Sequence, residues 1–91
     1  MALTRLRFVA TGRVQGIGYR WFVRDTAERL GLTGWVSNRD DGAVEGEAEG
    51  DGKALEDLLD ALRTGHPLAK VTGLTTETLA ARGDKAFDIR R

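Results

Sequence analysis

The sequence contains no cysteine, a single histidine and a single proline. The absence of cysteine excludes disulfide bonds, thiol catalysis and cysteine metal sites, and His66 alone supplies too few ligands for an ordinary zinc site. We therefore expect no metal and no cofactor. Any chemistry has to come from arginine, asparagine, carboxylates or the backbone.

Long apolar segments are missing as well. No run approaches the ~20 residues of a transmembrane helix, and Arg5 and Arg7 interrupt the apolar pattern of the first residues, which is unlike a secretory signal. We expect a cytoplasmic protein with no membrane partner. With 41% hydrophobic and 31% charged residues, the chain is predicted to form one globular domain over residues 1–91.

The net charge is zero, but its two signs are segregated along the chain. Residues 1–39 have a net charge of +5 and residues 40–60 a net charge of −8. A neutral total lacks the broad basic face that binds nucleic acid or an anionic membrane surface, so neither is expected as a partner. A small anion near the basic first third is compatible with this distribution. The sequence carries no oligomerisation signal, and we expect a monomer.

Hydrophobic periodicity predicts five strands and two helices. Alternating side chains, which are typical of strands, occur at residues 4–11, 34–38, 43–49 and 69–78 and in a short last strand with Phe87 and Ile89. Apolar residues at helical spacing predict two helices. The first follows a Gly-rich loop over residues 12–19 and ends at Gly31, and the second runs from its N-cap Asp51 to Gly65.

The first helix lacks an ordinary N-terminal cap. Ile17, Gly18 and Tyr19 offer no Ser, Thr, Asp or Asn, so the first N–H groups of the helix have no side-chain acceptor. Arg20 adds a positive charge at the positive end of the helix dipole, which costs a few tenths to about 1 kcal/mol. A bound anion would compensate for both, because a Gly-rich loop that leads into a helix is a recurrent phosphate site. Arg20 would offer that phosphate a planar fork of donors.

The order βαββαβ, with one extra short strand, predicts two helices on one face of a mainly antiparallel sheet, which is the α+β, ferredoxin-like sandwich. In this topology strands one and two run the same way on either side of strand three. Their C-terminal ends therefore lie at one edge, about 10 Å apart, and the Gly-rich loop and Asn38 share that edge. An amide there can orient a water while staying neutral beside a phosphate.

Two segments resemble the signatures of a known family. Residues 12–20, Gly-Arg-Val-Gln-Gly-Ile-Gly-Tyr-Arg, resemble the acylphosphatase pattern G-x-V-Q-G-V-x-F-R. Residues 34–42, Gly-Trp-Val-Ser-Asn-Arg-Asp-Asp-Gly, resemble the second pattern, G-W-V-x-N-x-x-D-G. The similarity runs through almost the whole chain in family order. Ile17 and Tyr19 are conservative departures, and His66 stands within the segment where the family usually has Gly-Pro.

The resemblance implies an enzyme that hydrolyses acyl phosphates, the mixed anhydrides of a carboxylate and a phosphate, without a metal. It implies that Arg20 binds the phosphate and that Asn38 orients the attacking water. The backbone N–H donors would come from Gln15, Gly16, Ile17, Gly18 and Tyr19. The partner is then a small acyl phosphate, and inorganic phosphate is the product and an expected inhibitor. No protein base stands out, so the phosphate of the substrate is expected to accept the proton of the water.

Three other functions are compatible with the same topology. RNA-recognition domains stack bases on sheet aromatics, but the third strand has three glutamates and no aromatic residue. A noncatalytic module that binds phosphate or acyl phosphate is the main alternative, and the presence of both Arg20 and Asn38 favours the enzyme. A metabolite-binding regulatory domain would normally be fused or dimeric, and no apolar edge for dimerisation is obvious.

The other conspicuous residues are interpreted structurally. Trp21 and Trp35 are expected to be buried or half-buried, and His66 is expected in a surface loop. The solvated side of the third strand is expected to carry Glu45, Glu47 and Glu49.

Overall fold

All seven predicted elements are present in the computed structural model, which describes residues 3–90. The five strands are β1 (Thr4–Arg13), β2 (Thr33–Asn38), β3 (Val44–Gly50), β4 (Lys70–Leu79) and β5 (Phe87–Arg90). The two helices are α1 (Tyr19–Arg29) and α2 (Gly52–Thr64). Within the described residues, neither helix is long and apolar enough to cross a membrane.

The sheet places β3 between β1 and β2. The strands lie in the order β4-β1-β3-β2-β5, and neighbouring strands are antiparallel except β2 and β5, which are parallel. Ala10 of β1 and Asn38 of β2 both pair with Val44 of β3, so β1 and β2 approach the same edge of the sheet at their C-terminal ends. The predicted ferredoxin-like α+β fold is confirmed.

One face of the sheet packs against both helices to form the hydrophobic core. Buried side chains of the central strands, among them Phe8 and Val36, lie in one cluster with those of the helices, which include Val23, Ala27, Leu55, Leu58 and Leu62. Gly46 leaves room for the Phe8 ring, because a Cβ at this position would collide with that ring and with the carbonyl of Trp35.

Tyr19, the first residue of α1, joins the two helices. Its ring is buried, and its hydroxyl donates a hydrogen bond to the carbonyl oxygen of Leu62 in α2 at 2.7 Å. Burial disfavours the tyrosinate and raises the pKa of Tyr19 to about 12. The start of α1 is therefore held against the end of α2.

The opposite face of the sheet carries a buried ionic cluster. The guanidinium of Arg5 is fully buried and contacts the carboxylates of Glu47 at 2.6 Å, Glu49 at 3.2 Å and Asp84 at 3.0 Å. The prediction of a solvated strand face is wrong for Glu49, which is 2% exposed. Glu45 and Glu47 are half-buried.

The connection between β4 and β5 is the reason for this burial. These two strands lie at opposite edges of the sheet, so residues 80–86 have to cross from one edge to the other. The carboxylate of Glu49 accepts the N–H of Arg82 at 2.6 Å and of Gly83 at 2.9 Å, while Asp84 binds Arg5. A charged strand face thus becomes the attachment site of a loop.

The carboxylate of Glu49 is expected to make the stability of the fold pH-dependent. The N–H of Arg82, then the N–H of Gly83 and the guanidinium of Arg5, hold the pKa of Glu49 below its ordinary value. This stabilisation is present above the unfolded pKa of ~4.3 and is lost as the pH falls through the lower folded pKa. We predict that Glu49→Gln lowers the melting temperature at neutral pH and flattens its decline between about pH 5 and pH 3.

Thermal unfolding followed by circular dichroism across this pH range tests the role of Glu49. Glu77→Gln, which removes an exposed glutamate of β4, is the matched control and should follow the wild-type profile. An acid profile of Glu49→Gln that coincides with the wild type would contradict the assignment.

Tyr19 is the only tyrosine of the chain, so its titration can be followed directly by the absorbance of tyrosinate. Since folding raises its pKa to about 12, its contribution to stability is complete below the unfolded pKa of ~10 and is lost as the pH rises towards the folded pKa. Tyr19→Phe should lack that alkaline decline and should lose about 1 kcal/mol of unfolding free energy at neutral pH. Urea unfolding measures both effects, and a tyrosine that titrates near pH ~10 in the folded protein would refute the burial argument.

Candidate active site

The loop between β1 and α1 leads into a helix whose N-terminus has no side-chain cap. Gly16 and Gly18 both have a φ of 77°, a left-handed conformation that residues with a Cβ adopt at a cost. Gly18 is the N-cap of α1, no side chain caps the helix and its first turn contains no acidic residue. The first hydrogen bond of the helix runs from the N–H of Phe22 to the carbonyl of Gly18 at 3.1 Å. The N–H groups of Tyr19, Arg20 and Trp21 are therefore left for another acceptor.

The residues predicted for the site lie around one cavity of about 230 Å³. Arg20 from α1 and Asn38 from the end of β2 both line it. The remaining lining residues are Val14, Gly16, Gly18, Tyr19 and Trp21. The structure thus brings together Arg20, Asn38 and three of the five predicted loop positions.

The other two predicted loop residues occupy different places. Gln15 lines an adjoining cavity together with Arg20 and Asn38. Ile17 packs against the hydrophobic core and does not line either cavity.

The charge of Arg20 has no carboxylate partner within residues 3–90. Its side chain is half-buried, and Nη1 donates a hydrogen bond to the carbonyl oxygen of Arg90 in β5 at 3.3 Å. This contact orients the guanidinium without neutralising it. Among the described residues, a guanidinium without a carboxylate partner lies here beside N–H groups without an acceptor, and this combination makes the cavity suitable for an anion.

Asn38 presents a buried acceptor with no partner. Its Oδ1 is inaccessible to solvent and has no hydrogen bond within the described part of the chain. Because an unsatisfied buried acceptor costs about 1–3 kcal/mol, the amide of Asn38 gains by turning this oxygen towards a donor bound in the cavity that Asn38 lines. The amide also has N–H donors, so it can hold a water in a defined orientation.

The side chain of Gln15 connects the loop to the turn that follows Asn38. Its Nε2 donates to the carbonyl of Arg39 at 2.8 Å and to the carbonyl of Ala43 at 2.9 Å. Only the backbone of Gln15 is predicted for the site from the sequence, and this side-chain link is not. The sequence signal for Gln15 is its place in the first signature. The carbonyls that it contacts lie 24 and 28 residues further along the chain, so local sequence patterns do not predict these hydrogen bonds.

Asp41 shapes the same turn. Its carboxylate accepts the N–H of Ala43 at 3.1 Å and a hydrogen bond from Nη2 of Arg39 at 2.8 Å. The turn therefore holds its form through its own side chains, and Gln15 fixes it to the loop. Together these contacts set the position of Asn38 relative to α1.

Trp21 does not pack in the core. It is 55% exposed and lines the cavity beside Arg20, so the prediction that it is buried or half-buried is wrong. The physical reason is its place in the first turn of α1, one residue after the arginine that faces the cavity and two after the buried Tyr19. Trp35 is half-buried, as predicted, with the guanidinium of Arg90 4.7 Å from its ring centroid.

His66 has a structural place in the loop after α2. Its ring contacts Phe22 edge-on with centroids 5.4 Å apart, and Nδ1 accepts the N–H of Leu68 at 3.1 Å. It is not among the residues that line the cavity of Arg20 and Asn38. Within residues 3–90, no group of three or more histidine, aspartate or glutamate side chains is placed to hold a metal ion.

The chain is similar to known acylphosphatases over nearly its whole length. The sequence model of the acylphosphatase family matches residues 6–89. An acylphosphatase of Bacillus subtilis strain 168 is 43% identical over 88 residues, which cover 96% of this chain and 97% of that relative.

Two solved structures agree with the sequence comparison. A crystal structure of acylphosphatase from Bacillus subtilis superposes with a TM-score of 0.93 at 41% identity and covers 99% of this chain and 100% of its own. The structure of an acylphosphatase from Coxiella burnetii has a TM-score of 0.92 at 35% identity, with 97% and 93% covered. By sequence and by structure, as its two signatures predict, the chain belongs to the acylphosphatase family.

Proposed function

We propose that the protein hydrolyses acyl phosphates to a carboxylate and inorganic phosphate, by attack of a water positioned by Asn38 on a phosphate bound by Arg20 and the loop. Membership of the acylphosphatase family supports the substrate class and the reaction. The observation that carries the assignment of residues is that the loop, Arg20 and Asn38 line one cavity together. Phosphoryl transfer asks chiefly for in-line positioning and charge stabilisation, and this cavity offers both.

The phosphate is bound by the backbone at the start of α1 and by Arg20. The N–H groups of residues 15–19 and of the first helical turn supply neutral donors, and the positive end of the helix dipole adds to their effect. Arg20 contributes a planar guanidinium that can bind two phosphate oxygens. As phosphorus moves from the acyl oxygen to the water, these donors hold the equatorial oxygens that carry the charge.

The water is held by the side-chain amide of Asn38. With the amide turned so that Oδ1, which has no partner among residues 3–90, faces the cavity, this oxygen accepts one hydrogen of the water, and a lone pair of the water oxygen faces phosphorus. A bond forms between the water oxygen and phosphorus, the bond between phosphorus and the acyl oxygen breaks, and the carboxylate leaves with the electron pair. Asn38 stays neutral throughout and acts by positioning, not as a base.

The proton of the water passes to an oxygen of the phosphate itself. Within the described residues, no carboxylate lines the cavity of about 230 Å³ that the loop, Arg20 and Asn38 share with Trp21. Asp40 is exposed and lines two adjoining cavities, one of them together with Arg20 and Asn38. The substrate therefore supplies the acceptor, and the leaving carboxylate needs no protonation because it is already a stable anion.

Three further properties belong to the same proposal. The enzyme is one domain over residues 1–91 that acts as a monomer in the cytoplasm. Inorganic phosphate, the product, competes with the substrate for the same N–H groups and for Arg20. The fit of an anion to the start of α1 supports the inhibition, since the product retains all the oxygens that the site binds.

The roles of Arg20 and Asn38 are separable by substitution. In EDTA, the wild type should hydrolyse a synthetic aryl acyl phosphate and leave the monoester p-nitrophenyl phosphate intact. Arg20→Ala should lose both turnover and inhibition by inorganic phosphate, because the charged fork is gone. Asn38→Ala should keep the inhibition while kcat falls about 10²-fold or more, because the water loses its orienting group.

Arg63→Ala is the matched control, since it removes an exposed arginine of α2 far along the chain from the loop. It should leave turnover and inhibition as in the wild type. Normal hydrolysis by both site variants would show that the site is assigned wrongly. A wild type without turnover, but protected by phosphate against heat, would identify the noncatalytic phosphate-binding module.

The path of the proton gives a separate prediction. Asp40 is the nearest candidate for a protein base, because it lines cavities that adjoin the site. Asp40→Asn should therefore retain kcat within about twofold, far less than the effect of removing a general base. Steady-state kinetics over a range of pH measure this, and a loss of turnover in Asp40→Asn would mean that a protein carboxylate takes the proton.

A further inference from the structure

Trp21 is an exposed aromatic side chain at the mouth of a phosphate site. The described residues include three large hydrophobic side chains that are more than half exposed, Leu3, Trp21 and Leu68. Of these, only Trp21 lines the cavity with Arg20 and Asn38. The fold does not bury its indole, and exposed apolar surface beside a site is often ligand-binding surface.

We infer that Trp21 selects the acyl part of the substrate, and that it favours aromatic and other flat apolar acyl groups that lie against its indole ring. This inference rests on the proposed function and adds to it the class of acyl group. The guanidinium of Arg20, the amide of Asn38 and the N–H groups at the start of α1 are suited to the phosphate and the water. The acyl group, which is attached to the same phosphate, has to extend beyond them.

Arg24 holds the indole in place. Its guanidinium carbon lies 4.4 Å from the centroid of the Trp21 ring, a distance typical of a cation–π contact. The same guanidinium contacts Asp25 at 3.3 Å and Glu28 at 3.9 Å, so its charge is balanced along the helix. One side of the ring is therefore covered by a fixed neighbour, and the exposed remainder of the ring is preorganised for a ligand.

In-line displacement directs the acyl group away from the water held by Asn38. The water at Asn38 expels the acyl group on the side of phosphorus that points away from Asn38. Two open cavities adjoin the site. Both are lined by Asn38, Arg39 and Asp40, one of them also by Gln15 and Arg20, and Trp21 lines neither. Trp21 approaches from α1 and supplies the apolar surface that those cavities lack.

The test compares two substrates that differ only in the acyl group, benzoyl phosphate and acetyl phosphate. In Trp21→Ala, the ratio of kcat/KM for benzoyl phosphate to kcat/KM for acetyl phosphate should fall about tenfold, and Trp21→Phe should restore most of it. The inhibition constant of inorganic phosphate, which has no acyl group, should change less than about twofold. Circular dichroism and the melting temperature of each variant confirm that it folds.

Leu68→Ala is the matched control, because Leu68 is 64% exposed and does not line the cavity. Its ratio should equal that of the wild type. A parallel loss for both substrates in Trp21→Ala, or an unchanged ratio, would overturn the inference while leaving the proposed function intact. A wild type that hydrolyses neither substrate would instead refute the proposed function, and the inference with it.

Discussion

The unsatisfied start of α1 is the constraint on which the rest of this structure depends. Helix N-termini expose N–H groups that ordinary caps satisfy, as Asp51 does for α2 by accepting the N–H of Ala54 at 2.9 Å. In α1 the N-cap is Gly18, and no side chain within residues 3–90 accepts a hydrogen bond from the first N–H groups. Arg20 adds a positive charge to this helix N-terminus. A fold can retain such a helix start only if its other contacts are strong enough to hold it open.

Those contacts come from three directions. The buried hydroxyl of Tyr19 anchors the first residue of α1 to Leu62 of α2. Gln15 ties the loop to the turn after Asn38, and the carbonyl of Arg90 orients Arg20. The elements that carry the site are therefore linked through the core, through the turn and through the last strand. These links fix the N–H groups at the start of α1 and the guanidinium of Arg20 around the anion site before an anion binds. Such preorganised donors are what electrostatic catalysis requires.

Most of this architecture follows from local patterns. Alternation and helical spacing predict every element, and the topology alone predicts that the loop and Asn38 lie at one edge of the sheet. Two of the departures have a common physical cause, because each depends on a contact between distant parts of the chain. Glu49 is buried since residues 80–86 cross the sheet, and Gln15 binds carbonyls that only the folded turn brings near. Trp21 is exposed because the helix turns it towards the cavity, which its size alone did not predict.

The most direct test of the account is a titration of the backbone amides with inorganic phosphate, followed by ¹⁵N–¹H NMR spectra. If the start of α1 binds phosphate, the largest saturable shifts occur at residues 15–21, with a smaller response at the side-chain amide of Asn38, and Arg20→Ala abolishes them. Phosphate that shifts amides elsewhere, such as residues 80–86, while residues 15–21 stay unchanged would contradict it. In that case the start of α1 would not be the phosphate site.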